Sequence, residues 1–296
     1  MIVGVASLAV TLSFLKLNEP NPQTDDTESL EEAETSEEPE VPEEPESKPV
    51  EVDFQPVVDN WVKTVGGTKS VVIYDLDLRK IVGAYNASEN YNTASLYKLF
   101  PVYEGYKRVA TGEWDSGAKA GYTGQTILKC LDLAIRESNS TCAETIRGMI
   151  GNKTLQNIIV NEWGITNSDI SNLISNANDI MLMMRRYYEH PDFDNADLLG
   201  KMWDSFLNQP ATEYDWRQGL PKGFSKATVY DKVGWDFDPD ENVWNIYHDA
   251  AIVKFPLGDG TTRNFIVVVM TNKVDYKNVR KLGTMLENEF YQKVEI

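Results

Sequence analysis

The apolar positions of this chain change period along its length, and those changes divide it into segments. Ile2 to Leu15 (IVGVASLAVTLSFL) is apolar and uncharged throughout. From Asn18 to Lys48 polar residues take over, with Leu30 and Val41 nearly the only large apolar side chains. From Val50 onward the pattern is that of a folded domain. Phe54 to Val65 (FQPVVDNWVKTV) repeats apolar residues at helical spacing and stops at Gly66-Gly67. SVVIYDLDLRKIVGAYN reads as a β-hairpin about a polar turn near Asp75–Lys80. Helical character returns at Ser95–Val109, Thr126–Ile135, Thr141–Ile150, Leu155–Trp163 and Ala177–Tyr188, with the Gly-rich loop TGEWDSGAKAGYTG after the first. Beyond Gly219 come three β-rich runs, ATVYDKVGW, YHDAAIVKF and RNFIVVVMT, and Val274 to Tyr291 closes as an amphipathic helix. This order predicts an α+β fold. An antiparallel five-stranded sheet, completed from both chain ends, is flanked by helices and carries a helical subdomain.

Charge sharpens the division. Residues 1–50 hold thirteen Asp/Glu against two lysines, a net of −11 out of −18 for the 296-residue chain. The tract NEPNPQTDDTESLEEAETSEEPEVPEEPESK cannot bury enough apolar surface to offset its chain entropy, which predicts an extended, disordered linker over 18–49. The fourteen-residue apolar run before it is shorter than the roughly 20 residues a spanning helix needs. With no basic stretch ahead of it, residues 1–17 read as an uncleaved membrane anchor or a shortened export signal. The domain at 50–296 is then expected outside a membrane, exported and tethered through its N-terminal segment. An acidic chain without a basic stripe excludes nucleic acid as a partner. Two cysteines and two histidines, none at metal-ligand spacing, predict no metal and no cofactor. His190 and His248 are read as surface or structural residues rather than members of a triad.

The candidate chemistry is a set of three short motifs. Ser95-Leu96-Tyr97-Lys98 places a hydroxyl and an amine one turn apart at the start of a helix, where a lysine of lowered pKa can take the serine's proton. A second SxxK, Ser116 to Lys119, lies in the Gly-rich loop, where nothing holds its spacing. Ser138-Asn139-Ser140 falls between two predicted helices, and Lys232-Val233-Gly234 falls on a predicted strand. Pro101 fits the first turns of the Ser95 helix awkwardly.

In order and setting these motifs resemble the S-x-x-K, S-D-N and K-T-G set of class A β-lactamases and penicillin-binding proteins. The flanks TILKCLDLAIRESNSTCAETI and RQGLPKGFSKATVYDKVGW, with the strands after them, extend the resemblance from about Val50 to Ile296. It implies a β-lactamase/transpeptidase-like fold and an acyl-enzyme on Ser95. Lys98 would be the base or its helper, and Ser138 would relay a proton to the leaving nitrogen with help from Lys232. Ser140, Val233, Gly234 and Trp235 would line the substrate, with the backbone N–H groups of Ser95 and Trp235 as oxyanion donors. The implied partner is a small-molecule β-lactam or a peptidoglycan stem peptide, taken up by a monomer.

Three departures qualify what the resemblance implies. Ser140 replaces the usual Asn, and Val233 replaces a hydroxyl residue expected on the substrate carboxylate. The family's deacylating glutamate has no counterpart between Gly164 and Asp179, where Asp169 is the only acid, and Glu162 reads as a surface residue. Activity as a β-lactamase of uncertain efficiency, as a D,D-peptidase or transpeptidase, and as a non-catalytic wall-binding module all stay open. Cys130 and Cys142 bracket Ser138 on adjacent predicted helices, where they either form a disulfide or lie as two buried thiols.

Overall fold

A computed structural model describes residues 50–208 and 217–294. The anchor and linker read at 1–17 and 18–49 lie outside the described residues. Among the described residues no helix is long and apolar enough to cross a membrane.

Helix α1 (Gln55–Thr64) buries Val57, Val58 and Trp61. The hairpin β1 (Thr68–Asp75) and β2 (Lys80–Tyr85) follows. Its turn is held by Asp75 Oδ1, which accepts from the N–H groups of Asp77 (3.0 Å) and Leu78 (2.9 Å). At the other end of the chain, β5 (Thr228–Asp238), β6 (Val243–Pro256) and β7 (Thr262–Asn272) form a meander that pairs with β1. The sheet order is β2-β1-β7-β6-β5, antiparallel throughout. The predicted five-stranded sheet is therefore built from both chain ends, with β5 on an edge.

Each sheet face is covered. One packs against α1 and the last helix, α8 (Tyr276–Lys293), through Val233, Val253, Phe255, Phe265 and Phe290. The other packs against the helical middle: α2 (Leu99–Ala110), α3 (Ile127–Arg136), α4 (Ser140–Ile150) and α6 (Ala177–Glu189). Side chains alternate along a strand, so neighbours on β5 serve opposite cores.

The helical middle departs from the predicted pattern in three places. A 3-10 turn, Ala94–Lys98, precedes α2. Pro101 therefore sits in the first turn of the α-helix, where backbone N–H groups lack helical partners, and its fit is not awkward. The run at Leu155–Trp163 is α5 (Asn152–Asn157) followed by a wide π turn at Ile158–Glu162. Finally, α7 (Ala196–Leu207) has no counterpart among the predicted helices. The Asn195 side chain caps it by accepting from Leu198 N–H (3.0 Å), and it buries Leu198, Met202 and Phe206.

Cys130 and Cys142 are joined in a disulfide with Cα atoms 4.8 Å apart, tying α3 to α4 across the Ser138 turn. Closing a loop of this size removes about 2–4 kcal/mol of unfolded-state freedom. The double variant Cys130→Ala/Cys142→Ala is expected to lose about that much stability in urea titration. The denatured, unreduced wild type should titrate no free thiol.

Candidate active site

The Ser95 turn is set by its neighbours. Two-residue strands β3 (Tyr91–Asn92) and β4 (Ile174–Ser175) pair just before it. Asn92 Oδ1 accepts the N–H of Ala94 (2.9 Å), which has a left-handed φ of +44°. Thr93 N–H donates to Leu173 O at 2.8 Å. His248, buried on β6, accepts Thr271 N–H on Nδ1 (2.9 Å), so its proton lies on Nε2 and is donated to Asn92 O (2.7 Å). Burial pushes this imidazole down to about 4. His248 is a neutral structural brace. His190 ends α6, its Nδ1 3.1 Å from Phe193 O. Neither histidine is available as a triad base.

The second motif is a strained corner. Ser138 takes a left-handed φ of +55°, and Asn139 caps α4 by accepting Cys142 N–H at 2.9 Å. The asparagine at the middle position is thus a helix cap, while the two serines turn toward Lys98. That lysine is buried, and its ammonium donates to Ser138 O, to Ser138 Oγ (3.2 Å) and to Ser140 Oγ (3.0 Å). Burial lowers Lys98 to about 8, with the Glu144 carboxylate acting in the opposite sense.

The third motif approaches from β5. Lys232 Nζ, equally buried, donates to Ser138 Oγ at 2.9 Å and to Val233 O at 2.7 Å. Burial first, and the Lys98 charge second, hold its pKa well below the usual lysine range. Asp231 and Asp249, buried beside it, favour its charged form. Asp231 pairs with Arg217 Nε (2.6 Å), and Asp249 Oδ2 accepts Leu220 N–H (2.8 Å). Gly234 lets the strand lie against the Ser95 turn. A Cβ there would stand 2.8 Å from Thr93 O and 3.1 Å from both Ser95 N and Leu96 N.

The structure therefore brings Lys98, Ser138, Ser140, Lys232 and Gly234 together around the half-buried Ser95 turn. Among the described residues no hydrogen bond reaches Ser95 Oγ; Lys98 Nζ is directed to Ser138 and Ser140. Two expected lining residues differ. Val233 belongs to the core under α1 and α8, on the strand face opposite Lys232, so its side chain offers the substrate nothing. The Trp235 ring lies on the same far face, 5.9 Å from the Trp244 ring. Both shifts follow from the two-residue period of β5, since Lys232 and Gly234 already occupy the cleft side. Ser140 likewise holds Lys98 and does not need the reach of an asparagine for that role.

Three residues that the motifs did not indicate border this cluster. Tyr97 donates its hydroxyl to Glu144, Glu144 pairs with Arg147 Nη2 (2.5 Å), and Arg147 Nη1 donates to Ile170 O (3.0 Å). The i, i+4, i+7 spacing of Ser140, Glu144 and Arg147 on a predicted helix was the available signal. The loop acids are committed elsewhere. Asp169 binds the N–H groups of Ser171 and Asn172 in its own turn, and Asp179 binds Asn167 and Ser168. Glu162 faces Lys107 at 3.4 Å. Among the described residues no group of three or more His, Cys, Asp or Glu could hold a metal.

An antiparallel sheet completed from both chain ends, a helical middle, and serine and lysine motifs meeting at one edge strand define the serine-hydrolase fold of the β-lactamases. Residues 53–291 match the family model described as the beta-lactamase enzyme family, and the chain belongs to that family. Solved structures share the fold at low identity. A class A beta-lactamase from Bacteroides cellulosilyticus is 13% identical with a TM-score of 0.67, covering 82% of this chain and 99% of its own. A beta lactamase from Xanthomonas campestris is 12% identical with a TM-score of 0.67, covering 82% and 100%. An ancestral class A beta-lactamase is 14% identical with a TM-score of 0.64, covering 79% and 99%. No curated protein matches the chain by sequence.

Proposed function

We propose that this chain is a serine hydrolase acylated on Ser95 by a β-lactam or a D-alanyl-type amide. The convergence of Lys98 and Lys232 on Ser138 Oγ, beside the Ser95 turn, is the observation that carries the reading. In the neutral form favoured above about pH 8, Lys98 takes the Ser95 proton. Ser95 Oγ then forms a bond to the substrate carbonyl carbon, with the N–H groups of Ser95 and Trp235 as the donors to the developing oxyanion. A hydroxyl has two acceptor lone pairs and one proton. Two lysines on Ser138 Oγ occupy the lone pairs and aim its proton at the leaving nitrogen, whose bond to carbon breaks as that proton arrives. Lys98, holding the proton it took from Ser95, returns it to Ser138, while Lys232 keeps its own proton and supplies the positive charge for a substrate carboxylate.

Release of the acyl group is the slow part of this proposal. A β-lactam adduct needs an activated water, and Asp169, Asp179 and Glu162 are all engaged away from Ser95. That engagement favours a long-lived acyl-enzyme, the behaviour of a penicillin-binding D,D-peptidase, over rapid β-lactam clearance. The same proposal places the domain outside a membrane, on the strength of the Ile2–Leu15 run and the acidic linker; the Cys130–Cys142 disulfide suits an oxidising compartment.

Incubation with a fluorescent penicillin tests the reading. Covalent label is expected on the wild type, absent in Ser95→Ala, with decay slow enough to follow by gel over minutes. A wild type that stays unlabelled at high dose would instead make the domain a binding module.

A further inference from the structure

The α4 face that carries Ser140 to Lys98 continues one turn further to Glu144, and another to Arg147. Each of the three touches a different part of the site. Ser140 Oγ is 3.0 Å from Lys98 Nζ. Glu144 accepts the Tyr97 hydroxyl, and the Tyr97 ring centroid is 5.9 Å from Lys98 Nζ. Arg147 pairs with Glu144, lies 5.6 Å from the same ring and donates to Ile170 O in the loop after α5. Tyr97 is buried, whereas Glu144 keeps 39% of its side-chain surface exposed. The carboxylate is therefore fixed at two points but not sealed from solvent.

We propose that Glu144, clamped between Tyr97 and Arg147, is a positioning residue that sets the protonation of Lys98 and couples it to the 164–176 loop. This rests on the reading of Ser95 as the nucleophile and Lys98 as its base. The charged and titratable groups around Lys98 are few enough to name. Lys232 meets it across Ser138 Oγ from β5, with Asp231 and Asp249 beside Lys232; Glu144 and Arg147 lie on α4 around the Tyr97 ring, and Tyr97 adjoins it in the same turn. From the loop, Asp169 is turned into its own hydrogen bonds. Glu144 is thus the carboxylate on the Lys98 side of the pair, as Asp231 and Asp249 are on the Lys232 side. Without it, two buried amines on one hydroxyl would repel with no nearby anion on the Tyr97 side. Arg147 tempers that anion and ties its position to Ile170, so a loop movement that carried Arg147 away would strengthen the hold of Glu144 on the Lys98 proton.

The test measures Lys98 directly and then its consequence. The Nζ midpoint is followed by NMR of lysine-labelled protein, assigned by its loss in Lys98→Arg. The pH limb of penicillin labelling is followed beside it. In Glu144→Gln the midpoint is expected to fall by about half a unit or more, and the labelling limb to move to lower pH with it. In Glu144→Asp, which keeps the charge, both should stay nearer the wild type than in Glu144→Gln. A residue that only supported the fold would lower the labelling plateau and the melting temperature without moving either midpoint. An unmoved Lys98 midpoint in Glu144→Gln overturns the inference whether or not the protein labels. Absence of label on the wild type overturns the role of Ser95, while the NMR midpoint still decides the role of Glu144.

Discussion

Replacing Lys98 with methionine should slow penicillin labelling of Ser95 by about a hundredfold to ten-thousandfold, the range a positioned general base supplies. Methionine matches the lysine stem in length and tolerates irregular packing, so the cavity stays filled. Two stability terms then oppose each other. Burial already disfavours the ammonium, and removing it relieves that cost. Against this, Ser138 O, Ser138 Oγ and Ser140 Oγ lose a shared donor. The variant should unfold within a few degrees of the wild type while losing nearly all labelling, a combination that general destabilisation does not produce. The pH profile provides the second mark. In the wild type, labelling should rise with pH through about 8 as Lys98 becomes neutral. In Lys98→Met that limb should vanish. A wild-type profile flat from pH 6 to 10 would remove Lys98 from the role of base.

Substituting alanine for Gly234 is the second large effect. The added methyl would meet three main-chain atoms, Thr93 O at 2.8 Å and the amides of Ser95 and Leu96 at 3.1 Å. Main-chain atoms cannot swing aside as a side chain would, so either β5 or the 94–98 turn must move by a few tenths of an ångström or more. Both carry the site, since β5 brings Lys232 and the turn brings Ser95 and Lys98. A displacement approaching 1 Å between reacting groups can cost about a hundredfold in rate, and a loss of that order in labelling is expected. Thermal stability should fall only modestly, because β5 keeps its pairing with β6 along the rest of its length. Gly260 is a control, since its position offers open space to a Cβ and it lies in the β6–β7 turn. Its φ of +85° means that Gly260→Ala should cost stability through backbone strain without touching labelling. Equal labelling by Gly234→Ala and wild type would mean that the close approach of β5 is unimportant.

The elements carrying the candidate site were legible because their local signals agree. Asn139 follows a polar turn and caps α4, Thr126 caps α3, and the apolar runs of β5, β6 and β7 are long and rich in β-branched residues. Helix α7 was less legible although Asn195 is a strong N-cap, because Gly200 interrupts its middle and weakens the local helical signal. The small pairing of β3 with β4 left no periodicity at all, since two residues make no pattern. His248 looked like any strand residue. Its tie to Asn92 spans 156 positions, and no local spacing encodes such a contact.

What the chain determined by itself was the order of its elements and the residue types at their junctions: a serine three positions before a lysine, two serines around a capping asparagine, a lysine and a glycine two apart on a strand. These are near-neighbour properties, fixed by backbone geometry within a turn or a pleat. Tertiary structure alone decided that Lys98 and Lys232, 134 positions apart in sequence, share one hydroxyl, because that meeting depends on β5 being an edge strand laid against the Ser95 turn. It also decided that Val233 faces the α1–α8 core while Lys232 faces the cleft. Strand alternation says only that the two lie on opposite sides, and which side is which follows from the cores that the folded chain builds on each.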